Sequence, residues 1–158
     1  MFFIMPLLAA ILIVAIAQHL WTRRPLPSLP QTAGDWGAPT SSDPRVAVAA
    51  MMVCVAREGG AVNEDKREQM IGLLTDTMGL TPDVARTCLK GGEQLSKRLQ
   101  GSLNSRLHQM RGTIERNCNG QERQDVVDML RAVAGSSAER VPSIREALGR
   151  IAGSLLHG

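Results

Sequence analysis

The sequence contains no tyrosine, two phenylalanines and two tryptophans, and none of these lies between Gly37 and Gly158. Single-strand nucleic-acid binders stack bases on aromatic faces, and quaternary-ammonium sites enclose their cation in them, so both roles are set aside. The charge agrees: from Pro44 onward 16 basic residues stand against 13 acidic ones, too even for a dedicated nucleic-acid binder. Cysteine is scarce too. Cys54, Cys88 and Cys118 are far apart with no Cys-x-x-Cys, which argues against a disulfide framework and a zinc site and leaves three reduced, buried thiols. The three histidines, His19, His108 and His157, are scattered. Only His108 is placed to be a general base, and no nucleophile stands at a meaningful spacing from it. Gly91, Gly92 and Lys97 lack the Gly-Lys-Ser/Thr ending and the preceding strand of a phosphate loop. The sequence therefore points to a protein that is not an enzyme and carries no cofactor.

What is present begins with Met1 to Trp21, an apolar run without a charge, followed by Arg23 and Arg24. As a helix it would reach roughly 31 Å, matching a hydrocarbon core of about 30 Å. Ala15, Ile16 and Ala17 offer an Ala-x-Ala cleavage pattern, but a basic leader is missing and the two arginines oppose export. Residues 1–22 are therefore predicted to form a single transmembrane anchor, with the N-terminus outside and the C-terminal part in the cytoplasm. Arginine outnumbers lysine 15 to 3 and alanine is abundant, composition that fits a GC-rich bacterium and hence its inner membrane. Residues 23–42 hold Pro25, Pro27, Pro30, Pro39, Gly34, Gly37, Ser41 and Ser42, which predict a tether. It would span roughly 25 Å as a coil or about 60 Å if straight.

Residues 43–158 read as helix after helix. Asp43 and Pro44 signal a start, Gly59 and Gly60 a stop, and the stretch between, apolar on every face, predicts a central helix. Asn63, with Glu64 and Asp65 in the first turn, opens a second helix that Gly79 closes; Thr81 and Pro82 open a third. Cys88, Leu95, Leu99, Leu103, Leu107, Met110 and Ile114 make one stripe at helical spacing, which Gly91, Gly92 and Gly101 tend to interrupt; the favoured break lies near Gly101 to Asn104. A helix over Gly120 to Ala134 and another from Pro142 complete an all-α bundle of about five to six helices.

The order of these signals resembles the TerB-like helical domain, also found in the N-terminal part of the co-chaperone DjlA. Ala56, Arg57, Glu58, Gly59, Gly60, Ala61 and Val62, followed by Asn63, Glu64 and Asp65, stand where that family has an Ala-x-x-Asp-Gly-x-Val turn and an acidic helix start. Met78, Gly79, Leu80, Thr81 and Pro82 resemble its next junction, and Ala132 to Gly135 a weaker second copy of the first turn. The resemblance implies a metal role for acids in the two turns, yet Gly59 takes the place of the aspartate, and Ser136 or Ser137 the second place. No J domain follows, so stimulation of a chaperone ATPase does not carry over.

The functional expectation is a membrane-anchored cytoplasmic interaction or scaffolding module with a protein partner. The alternative is a metal-responsive module of the tellurite-stress type. For that alternative Glu58, Glu64 and Asp65 are the clustered carboxylates, few for a hard cation that takes six to eight oxygens. For partner binding the candidates are Arg98, Arg106 and Arg111, within a segment from Arg86 to Arg116 holding seven basic residues against Glu93 and Glu115.

Overall fold

The computed structural model describes residues 42–157. The apolar run, the arginines after it and the tether up to residue 41 lie outside the described residues. Among the described residues no helix is long and apolar enough to cross a membrane.

The described chain folds into seven helices without a strand: α1 (Pro44–Gly59), α2 (Glu64–Met78), α3 (Pro82–Arg98), α4 (Leu103–Asn117), α5 (Gly120–Ala134), α6 (Ser137–Arg140) and α7 (Pro142–His157). The first five begin where a side chain satisfies an N–H that the helix itself leaves unpaired. Asp43 accepts from the Arg45 N–H at 2.9 Å, Asn63 from Lys66 at 2.9 Å, Thr81 from Val84 at 3.5 Å and Ser102 from Ser105 at 3.3 Å. Asn119 accepts from Glu122 at 3.0 Å, and the Glu122 carboxylate accepts from the Asn119 N–H at 2.6 Å, completing a capping box. At the other end of α2, Gly79 adopts the left-handed conformation that ends a helix cheaply.

Every residue of α1 from Arg45 to Ala56 is buried. The helix has no polar stripe to offer water, so it sits at the centre, packed on α3, α4 and α5 and touched by α2 and α7. Arg45 is tolerated there because Asp43 clasps its guanidinium, accepting from Nε at 2.9 and 3.1 Å. Met51 and Met52 of α1 itself and Met70, Met78, Met110 and Met129 of its surroundings are buried. Their flexible thioethers fill the gaps that a core without aromatic rings would leave.

The crossing of α1 and α3 is close. A Cβ built on Gly92 would lie 2.6 Å from the Ala50 nitrogen and 2.7 Å from the Ala49 carbonyl carbon, so the two helices meet backbone to backbone. This corrects one expectation. Gly91 and Gly92 do not interrupt a helix; they lie inside α3 and let α1 approach. The interruption falls at Gly101 alone, with φ of 94°, between the end of α3 at Arg98 and the Ser102 cap of α4. The apolar stripe still runs through that corner: Leu95 and Leu99 are half-buried, while Leu103, Leu107, Met110 and Ile114 are buried. The single turn α6 was not anticipated. Counting it, the described domain has seven helices where five to six were expected.

Candidate functional site

The C-terminal end of α1 meets the turn between α5 and α6. Gly60, with φ of 142°, turns the chain out of α1 while its N–H donates to the Arg57 carbonyl at 3.2 Å. A Cβ on Gly59 would lie 2.8 Å from the Ser137 Oγ, so the two turns are in direct apposition. Beside them is a cleft of about 150 Å³ lined by Val55, Ala56, Lys66, Val133, Ala134 and Ser137 together with Gly59 to Ala61. Both places that the sequence singled out, one at the end of α1 and one after α5, thus border the same small corner.

The carboxylates do not gather there. Glu58 faces away from the cleft's lining, accepting from Arg106 at 2.9 Å and from the Ser143 hydroxyl at 2.9 Å. Glu64 lies exposed in the first turn of α2, 3.6 Å from Arg67, and Asp65 beside it is exposed. Among the described residues no group of three histidines, cysteines or carboxylates could hold a metal ion.

The arginines point to different neighbours. Arg98 is exposed in the last turn of α3. Arg106 reaches the end of α1 through its pair with Glu58, which is about three-quarters buried on both sides. Arg111 turns instead toward α7, donating to the Ser154 hydroxyl at 2.7 Å while pairing with Glu115 at 3.0 Å. Arg57 and Arg67 also bind inward, to Ser96 at 2.8 Å and Glu93 at 2.8 Å.

This succession, a buried central helix closed by a glycine turn against a second turn that follows α5, coincides with a family match over residues 45–155, to the family described as tellurite resistance protein TerB. The chain belongs to the TerB family. No curated protein and no solved structure matches it. The TerB domain takes in all seven helices, from the start of α1 to the last turn of α7.

A hard cation does not fit the corner of this TerB domain. Gly59 supplies no side chain, Ser137 supplies a neutral hydroxyl, and Lys66 brings an ammonium into the lining. A calcium-like ion needs several anionic oxygens, and here the nearest carboxylate in sequence, Glu58, is committed to Arg106 and Ser143.

The thiols are also quiet. Cys54, Cys88 and Cys118 are free and buried. Burial pushes the Cys54 thiol up, and pushes Cys88 and Cys118 up to about 11, so the reactive thiolate is disfavoured at neutral pH. Sequence reasoning missed Arg150 and Ser154 of α7, which share a second cleft with His108 and Arg111 of α4. The usable signal was their spacing: they are one helical turn apart and flank the Ile144, Leu148, Ile151 and Leu155 stripe.

Proposed function

We propose that this chain is a membrane-anchored cytoplasmic TerB-domain protein that serves as a non-enzymatic interaction or scaffolding module. The observation that carries the reading is the corner at the end of α1, where Gly59 and Ser137 stand in contact and Glu58 is spent on internal partners. A metal-responsive role would need that corner to concentrate negative charge, and its lining has no carboxylate. The anchored half of the reading rests on the uncharged run up to Trp21 and on Arg23 and Arg24.

Fusions after Gly158 test the topology. A fluorescent reporter that folds only in the cytoplasm should be bright, alkaline phosphatase should be inactive, and the full chain should pellet with membranes. High phosphatase activity, or a mature protein beginning at Gln18, would refute the anchor. Crosslinking of the full chain in intact cells, followed by detergent solubilisation, should yield discrete adducts that disappear when residues 1–22 are removed. Adducts unaffected by that removal would sever the scaffold from the membrane.

A further inference from the structure

A second cleft, of about 230 Å³, opens between α4 and α7. Asn104, His108 and Arg111 line it from α4, and Arg150 and Ser154 from α7. No carboxylate is in the lining. The space is several times the roughly 30 Å³ that a water occupies in the liquid, enough for a tetrahedral oxyanion with some of its hydration.

The polar groups are oriented for an anion. Arg111 is held by two contacts, Nη1 to the Ser154 Oγ at 2.7 Å and Nε to Glu115 at 3.0 Å, which fix the guanidinium plane and leave Nη2 in neither. Because the Ser154 oxygen accepts from Arg111, its own proton is directed elsewhere and can donate to a ligand. Arg150 supplies a second cation from the facing helix, and the Asn104 amide and the His108 ring add further donors. Glu115 offsets part of the Arg111 charge. The surroundings remain positive: α4 carries three arginines against one glutamate, and α7 two arginines against one glutamate. The opposite sign prevails on α2, with four carboxylates against two cations.

We propose that the α4–α7 cleft binds a phosphate group, as inorganic phosphate or a phosphate monoester. Arg111 Nη2 can take one phosphate oxygen and the planar Arg150 fork can take two, which is why the pair favours this ligand over a simple halide. The lining has no Phe, Tyr or Trp platform, and its polar groups are hydrogen-bond donors, so the phosphate itself is what is recognised. The site needs neither the membrane anchor nor a protein partner.

The test follows the arginine Nε–Hε signals of the full chain by NMR, mixed with phosphatidylcholine nanodiscs, as inorganic phosphate replaces chloride at constant ionic strength. The Arg111 and Arg150 signals should shift and saturate. Arg150→Ala should weaken binding on the order of tenfold, and Arg111→Lys, which keeps the charge but loses the plane held by Ser154 and Glu115 and the Nη2 it positions, should weaken it similarly. Arg145→Ala, an exposed change on the same helix, is the control and should leave the affinity unchanged. Nanodiscs containing phosphatidate separate the sources: signals already shifted before phosphate is added identify a lipid headgroup, whereas unshifted signals that still saturate with phosphate identify a soluble ligand. A linear, unsaturable response overturns the site. Equal weakening by Arg145→Ala does so too, as does unchanged affinity in folded Arg150→Ala and Arg111→Lys, with circular dichroism reporting the fold.

Discussion

Gly92 in α3 faces the central α1 and Gly59 at the end of α1 faces the turn at Ser137, and a methyl group added to either would strike something different. At Gly92 it would meet the backbone of Ala49 and Ala50 at 2.6 to 2.7 Å, atoms that cannot move without displacing the helix. At Gly59 it would meet the Ser137 hydroxyl at 2.8 Å and its Cβ at 3.0 Å, the short side chain of a one-turn helix on the surface. One glycine is there because two helices touch. The other stands where a family resemblance would put a carboxylate, and its absence removes chemistry more than it permits packing.

The sharpest way to break this contrast is to substitute both positions. Gly92→Ala should destabilise the domain by about 3 kcal/mol or more, since overpacking against backbone is relieved only by parting α1 from α3. Gly59→Ala should cost about 1 kcal/mol, because the Ser137 Oγ can rotate away and only its Cβ, on a one-turn helix, must shift. Urea denaturation measures both, and equal losses would erase the distinction. Next in size, calcium added to a Gly59→Asp, Ser136→Asp variant should raise its thermal midpoint, by the equivalent of about 2.7 kcal/mol when calcium is at 100 times its dissociation constant. Ser136 is chosen because it is exposed and adds no bulk against Gly59. The parent should keep its midpoint with calcium or EDTA; a shift there would mean the corner binds a cation without the aspartates.

Smaller effects test what the corner retains. Arg106→Ala leaves Glu58 with only Ser143 as partner and should cost about 1 to 2 kcal/mol, more than an exposed ion pair because both groups are mostly buried. A double-mutant cycle with Glu58→Ala isolates the coupling, and a value near zero would make the pair incidental. The smallest change is alkaline. Cys88 and Cys118 hold their protons to about pH 11 when folded, while the unfolded chain releases them from about 9. The raised folded value means that their contribution is complete below 9 and is lost as pH climbs toward 11. Between pH 7 and 9 the loss should be about 0.4 kcal/mol for each thiol, and replacing both thiols by alanine should flatten the slope that follows.

Most of the fold was legible because helix boundaries are written locally. Asp43, Asn63 and Thr81 cap the helices they were expected to open, and α5 runs over Gly120–Ala134 as its apolar spacing implies, with Asn119 as a cap that the sequence reading did not name. The uniformly apolar Val46 to Ala56 stretch identified the central helix for the same reason. Gly91 and Gly92 were misread because a glycine needed for contact between distant segments looks the same in sequence as one that ends a helix. The apposition of Gly59 and Ser137 follows from the bundle, though the two turns were each visible. The spacing of Arg150 and Ser154 placed them on one face of α7, but their meeting with α4 was not legible: Arg111 is 43 residues from its partner Ser154, and only the packing of α4 on α7 brings them together.

The burial of α1 has a consequence for how the chain comes into being. This helix is the earliest part of the described domain to leave the ribosome, and it has no polar side on which to rest while it waits. Its main neighbours, α3, α4 and α5, are completed only when synthesis has passed Ala134, several seconds later at roughly 5 to 20 residues per second. During that interval the stretch from Val46 to Ala56 is a sticky, unpartnered segment. Its sequence therefore sets a demand on the nascent chain, for shelter by a chaperone or for rapid completion, that the finished bundle no longer reveals.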